Sequence, residues 1–164
     1  MRTLIASALA RFNGDFFCLT TMSQGILGFA EPDVLPIYLP ANISDSELGI
    51  ALRSSFAGSR KVSAEEFQRI FSSGIIQERS KDQDLWIIKN YGYKSRSAAY
   101  KKMDTCDVSM FEDEIEIQPT HKKSIDGFTV RKDKGPFAFC LPSNVSNAEL
   151  GAALRKGFSY CTRG

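Results

Sequence analysis

One histidine, His121, and four cysteines with no Cys-x-x-Cys spacing leave this chain without the usual ligand set of a structural zinc site. Any Ser-His or Cys-His catalysis would have to run through that single imidazole. It follows Pro119-Thr120 with lysines beside it, and a hydrogen-bonded or surface histidine is the plainer reading. Net charge is scarce as well: 21 Lys and Arg against 19 Asp and Glu give +2, too balanced for a dedicated nucleic-acid or membrane-surface binder. There is no Gly-rich phosphate loop; Gly25, Gly28 and the other single glycines fit turns. No stretch approaches the ~20 apolar residues that a membrane-spanning helix needs. The opening MRTLIASALARF has the outline of a signal peptide, but Ser7 breaks its apolar run, Arg11 ends it, and Asn13-Gly14 follows as a turn signal. These absences predict a cytoplasmic protein that needs no metal or cofactor. Cys18, Cys106, Cys140 and Cys161 then read as buried thiols in a reducing compartment rather than a disulfide frame.

What is present is enough for one core. The 164 residues are 43% hydrophobic and 24% charged, the size and composition of a single globular domain over residues 1–164. The most informative feature is a phrase written twice: LPANISDSELGIALRSSF at Leu39–Phe56 returns as LPSNVSNAELGAALRKGF at Leu141–Phe158, with 11 of 18 positions identical. Each copy reads as a strand end, a proline break and a capped amphipathic helix. Ser44 with Glu47, and Ser146 with Glu149, form the capping boxes. Leu48, Ala51, Leu52 and Phe56 share one helical face, as do Leu150, Ala153, Leu154 and Phe158. Gly49 and Gly151 lie inside these helices, where glycine costs about 1 kcal/mol against alanine, so a close backbone approach is expected.

Elsewhere, Asn13-Gly14 predicts a type I′ hairpin joining Leu4–Phe12 to Asp15–Met22, because both residues tolerate positive φ. Ser23–Asp33 reads as loop, and Val34–Leu39 as a strand that Pro36 confines to an edge or a strand start. A third capping box, Ser63 with Glu66, opens a helix carrying Phe67, Ile70 and Phe71 that Gly74 ends. Leu85–Tyr91 reads as a helix with Trp86 and Ile87 or Ile88 inward, and Ser95–Met103 as another short one. Cys106–Phe111 and Glu114–Gln118 alternate around Glu112-Asp113 as a second hairpin. Phe128–Val130 and Phe137–Leu141 are the last strands. The fold class predicted is α+β: a mainly antiparallel sheet packed with several amphipathic helices.

Two segments carry groups suited to binding. Glu112, Asp113, Glu114 and Glu116 form the densest acidic cluster; they suit either a solvated outer strand face or an anionic surface that imitates phosphate. KNYGYKSRSAAYKK places Lys89, Lys94, Arg96, Lys101 and Lys102 among Tyr91, Tyr93 and Tyr100. That mixture suits single-stranded nucleic acid, a protein interface, or helix packing.

The repeated phrase resembles a bacterial family, the contact-dependent growth inhibition (CDI) immunity proteins. So do YGYKSRSAAYKKM at Tyr91–Met103, IEIQPTH at Ile115–His121 and the closing helix near Cys161-Thr162-Arg163, so that the resemblance runs from about Leu35 onward. It implies a protein that is not an enzyme: a cytosolic antidote that binds the toxic C-terminal domain, commonly a nuclease, of a large effector delivered by neighbouring bacteria. It also implies β-augmentation, a toxin hairpin extending the immunity protein's sheet. A monomer is expected, though the sequence does not fix the oligomeric state. Cys106–Phe111, Glu114–Gln118 and Phe128–Val130 are the strands expected to offer an edge. Glu112, Asp113, Glu114, Glu116, Lys122, Tyr91 and Tyr93 are the expected toxin contacts. The alternative is a small nucleic-acid-binding regulator using residues 89–102.

Overall fold

The computed structural model describes residues 2–164. The chain opens with β1 (Leu4–Phe12) and β2 (Phe16–Gln24), then β3 (Gly28–Ala30), β4 (Ile37–Pro40) and helix α1 (Asp45–Ala57). Helices α2 (Ala64–Ser72), α3 (Ile75–Tyr91) and α4 (Arg96–Tyr100) follow. Next come β5 (Asp104–Phe111), β6 (Glu114–Pro119), β7 (His121–Lys122), β8 (Phe128–Thr129), β9 (Phe139–Pro142), α5 (Asn147–Tyr160) and β10 (Thr162–Arg163). The main sheet runs β3-β2-β1-β5-β6-β9, with β4 also on β2, and every pairing in it is antiparallel. A second sheet, β10-β7-β8, stands apart. The α+β class and its antiparallel sheet are as the sequence predicts.

Strand alternation assigns the two faces. Ala6, Ala8 and Ala10 of β1, Phe17 and Leu19 of β2, Cys106 and Val108 of β5 and Ile115 and Ile117 of β6 form the core under α1 and α5. Leu48, Leu52, Phe56, Leu150, Leu154 and Phe158 come down from the helices to meet them. The opposite face is covered only in part. There Phe16 and Cys18 pack under Ile87 of α3, with Ala99, Tyr100 and Met103.

The repeat is a two-fold grip between α1 and α5. A Cβ on Gly49 would overlap the carbonyl oxygen of Asn147, and one on Gly151 that of Asp45, so each glycine seats the first residue of the other helix. Arg53 donates to Asn147 Oδ1 (3.0 Å) and to the carbonyls of Ser143 and Val145. Arg155 repeats this on Asp45 Oδ1 (2.8 Å) and the carbonyls of Ala41 and Ile43. In the sheet, Ser7 faces Ser109, which lies one repeat length, 102 residues, further along the chain. The axis relating the two halves therefore passes between β1 and β5.

Four local expectations are corrected. The first turn is not type I′, since no non-glycine residue has positive φ and only Gly14 (φ 94°) takes that conformation. Asn13 instead accepts from the N–H groups of Asp15 and Phe16 through Oδ1, a side-chain-closed turn. Ser23–Asp33 is not all loop, because it contains the end of β2 and all of β3. Helix α3 begins at Ile75, ten residues before Leu85, after Gly74 at φ 79°. Cys140 is exposed, not core, because it lies on the outward side of edge strand β9.

Candidate protein-binding face

The uncovered part of the main sheet is built by β1, β5 and β6. Residues of odd number on β1 point away from α1 and α5, and Leu9 lies opposite Asp107, with Arg11 opposite Thr105. Asp107 in turn faces Gln118 on β6, and Ser109 faces Glu116. Leu9, Arg11, Thr105 and Asp107 line a cleft of about 570 Å³. One wall is Arg96 and Tyr100 of α4; the other is Asp126 with Phe128, Thr129 and Val130 around β8.

Charge in this cleft is unevenly satisfied. Arg96 joins the two walls, donating to Asp84 Oδ2 (2.8 Å) and Asp126 Oδ2 (2.9 Å) and lying over the Tyr100 ring. Arg11 is buried, with Nη1 donating to the Tyr100 hydroxyl at 2.6 Å and Nη2 to Cys18 Sγ at 3.4 Å. Its Nε is the one buried side-chain nitrogen or oxygen without a hydrogen-bond partner among the described residues. Asp107 has no ion pair or side-chain hydrogen bond among the described residues, and desolvation in the cleft raises its carboxyl above the usual range. It is nonetheless exposed, a carboxylate on the cleft floor open to an incoming group.

The residues that sequence reasoning selected do not form one site. Glu114 and Glu116 do come together, through Arg2: Nη1 to Glu114 Oε1 is 2.7 Å and Nη2 to Glu116 Oε2 is 3.0 Å. They lie on the same sheet face as Asp107, with Ile115 and Ile117 on the other, as alternation predicts. Glu112 and Asp113 are exposed at the β5–β6 turn, their carbonyls bonded by Ser143.

Lys122 is buried rather than presented to a partner. Its Nζ donates to the carbonyls of Tyr100 (2.8 Å), Met103 (3.1 Å) and Ile125 (2.7 Å), which fastens β7 to α4, and desolvation lowers its pKa. His121 is likewise buried, Nδ1 lying 2.8 Å from Thr162 Oγ1.

Tyr91 stacks on Phe16, ring centroids 4.2 Å apart, and Trp86 on Tyr38 at 3.9 Å. The Tyr93 hydroxyl accepts from Asn13 Nδ2 (2.7 Å) and donates to Asp15 Oδ2 (2.5 Å); burial, then Asp15, pushes its pKa up to about 12. Both tyrosines thus fasten the helical layer to the first hairpin.

Sequence reading passed over Arg11 and Asp107. The available signal was a charge at the outward position of an otherwise apolar strand: Arg11 closing LIASALAR, and Asp107 between Cys106 and Val108.

The strand edges also differ from expectation. β5 lies between β1 and β6, and β6 between β5 and β9, so neither offers a free edge. β8 does. Lys123 N–H donates to the Gly127 carbonyl at 2.7 Å and His121 is opposite Thr129, so the bonded pairs of this ladder are 123/127 and 121/129. The N–H groups of Phe128 and Val130 consequently point away from β7, and Phe128, Thr129 and Val130 line the cleft.

A free strand edge beside an open, partly acidic sheet face is the geometry of a protein-binding scaffold. A profile of the CDI immunity protein family (CdiI) matches residues 6–161, and the chain belongs to that family. The match takes in the opening hairpin, well before the Leu35 at which the recognisable motifs begin. One curated relative is the immunity protein CdiI-YPIII of Yersinia pseudotuberculosis serotype O:3 (strain YPIII), 29% identical over 178 positions, 98% of this chain and 99% of the relative. Two solved structures share the fold. A CdiA-CT/CdiI toxin and immunity complex from Yersinia pseudotuberculosis matches with a TM-score of 0.86 at 24% identity, covering 99% of this chain and 100% of that one. A Neisseria meningitidis protein of unknown function matches with a TM-score of 0.86 at 23% identity, over 95% of this chain and 94% of the other.

Proposed function

We propose that this protein is the antidote to the C-terminal toxin domain of a CdiA-type effector, working in the cytoplasm as one monomeric domain that inhibits by binding and carries no catalysis or cofactor of its own. Membership of the immunity family is the observation that carries this reading, and the similar Yersinia immunity chain was solved together with a CdiA-CT toxin. Among the described residues, no helix is long and apolar enough to cross a membrane.

We place the toxin on the free side of β8. A toxin strand or hairpin added there would bond the N–H groups of Phe128 and Val130 and lie over the cleft floored by Leu9 and Asp107. Exposed Val130 lines the cleft and exposed Ile125 lies in the turn before β8, adding apolar surface near this strand. Two of the other edges fit less well: β4 follows Pro36 and ends in Pro40, and β9 follows Pro136 and ends in Pro142. Carboxylates of Asp107, Glu114 and Glu116 on one face favour a basic partner, which supports a nuclease toxin.

The test is co-expression with the toxin domain of the effector gene expected directly upstream. Cells making both should grow, and the purified pair should elute together. Val130→Pro removes one free-edge N–H without touching the β7 ladder and should weaken binding at least tenfold, about 1.4 kcal/mol. Equal killing with and without this protein would overturn the antidote reading; full affinity in Val130→Pro would move the toxin off β8. Salt-dependent retention of RNA or single-stranded DNA on a filter would favour the nucleic-acid alternative.

A further inference from the structure

Two of the four cysteines meet. Cys106 is fully buried on β5, and Cys161, half-buried, caps the C-terminal end of α5; their Sγ atoms are 3.9 Å apart. Gly157, one turn earlier on α5, makes the approach possible. A Cβ there would lie 2.8 Å from Ile117 Cγ2 and 3.4 Å from Cys106 Sγ, so any larger residue would lift the helix end off β5. Cys18 sits against Arg11 and Cys140 is out on β9. Neither is part of this contact.

We propose that Cys106 and Cys161 are a reversible thiol pair that closes to a disulfide when the protein meets a peroxide. Cys161 is the sulfur that reacts first. It is the more accessible of the two, and the Cys106 S–H together with a backbone N–H stabilises its thiolate, lowering its pKa. Cys106 is raised by its contact with Cys161 and by burial, and stays protonated until its partner is oxidised. The Cys161 thiolate attacks one peroxide oxygen: an S–O bond forms, the O–O bond breaks, and the leaving hydroxide takes a proton to become water. The Cys106 sulfur then attacks the sulfenic sulfur. The S–S bond forms, the S–O bond breaks, and the second hydroxide leaves as water with the Cys106 proton. Two thiols lose two electrons and two protons, and the peroxide is reduced to two waters.

The position of the bond gives it a consequence. Cys161 leads directly into β10, which pairs with β7, which pairs with β8. A Cys106–Cys161 bond would therefore tether the strand that borders the cleft to the strand that floors it. That consequence for toxin binding rests on the function proposed above, whereas formation of the bond does not.

The test uses the full reduced chain treated with hydrogen peroxide, then alkylated and mapped by mass spectrometry. The expected result is a loss of 2 Da in intact mass on the order of one S–S bond per chain, a linked peptide joining Cys106 to Cys161, and Cys18 and Cys140 still alkylated. Dithiothreitol should restore all four thiols, and the oxidised form should melt at least about 5 °C higher, because the bond closes a long loop. Cys161→Ser should leave Cys106 reduced under the same treatment and, being at a half-exposed position, should fold. Four free thiols after oxidation, or a bond involving Cys18 or Cys140, would overturn the inference. If the mapped bond forms but neither redox form protects against the toxin, the antidote reading falls and the thiol pair stands.

Discussion

Glu31 shows how one residue can set the acid limit of this protein. It is buried, which by itself raises its pKa. The Arg60 guanidinium, the backbone N–H of Asp33 and the Ser23 hydroxyl outweigh that and hold it below its ordinary 4.5. A carboxylate depressed in the folded state adds stability above its unfolded pKa and loses it as pH falls through the folded value. Stability should therefore drop below about pH 4.5, and Glu31→Gln should flatten that drop while costing about 1–3 kcal/mol at pH 7; denaturant melts at several pH values would show both. Asp107 is instead a proposed toxin contact. Its carboxylate is unpaired, so Asp107→Lys should leave the melting temperature within a degree or two, as a change at an open position does. Toxin affinity should fall at least tenfold, about 1.4 kcal/mol, by calorimetry. An unaltered affinity would take the cleft floor out of the interface. Neither Glu31 nor Asp107 stood out in the sequence, since their roles depend on what folds against them.

Among the elements, α1 and α5 were legible down to single residues, because capping serines and a 3.6-residue apolar period are local signals. All three Ser-x-x-Glu serines accept from the glutamate N–H three residues on. The first ten residues of α3 were not legible. IIQERSKDQD is polar on nearly every side, and its helix is fixed by Gly74 at one end and by the aromatic stack of Trp86 and Tyr91 at the other. Of the second sheet only β8 was legible; β7 and β10 are two residues each and form where the C-terminus pairs with the β7–β8 hairpin. The helix-pair contact yields a prediction against propensity. Alanine favours a helix over glycine by about 1 kcal/mol, but in Gly151→Ala the new methyl collides with the Asp45 backbone. The variant should lose stability by about 2 kcal/mol or more, as overpacked contacts do. Leu154→Ala, fully buried, should cost about 2–5 kcal/mol. Thermal melts of both would measure this, and a stabilised Gly151→Ala would refute the close helix contact.

For the molecule as a whole, the two halves are held by contacts that belong to neither alone: the β1–β5 ladder, the two glycine seats and the crossed grips of Arg53 and Arg155. A chain cut at the exposed Lys101-Lys102 should give two pieces that stay unfolded apart and regain the circular dichroism of the intact protein when mixed. Independent folding of either piece would show that the repeat is two small domains. The sequence by itself determined the α+β class, the doubled strand-and-helix unit, the capped helices and the resemblance to the immunity family, because periodicity, caps and motif order are carried by neighbours along the chain. Tertiary structure alone decided that β5 and β6 are interior strands, that Lys122 is buried, that Arg2 crosses to Glu114 and Glu116, and that β8 keeps one unpaired side and lines the same cleft as Asp107. Those outcomes depend on which strands pair and which face the helices leave bare, and they are set by contacts such as that of Arg2 with Glu116, 114 positions apart.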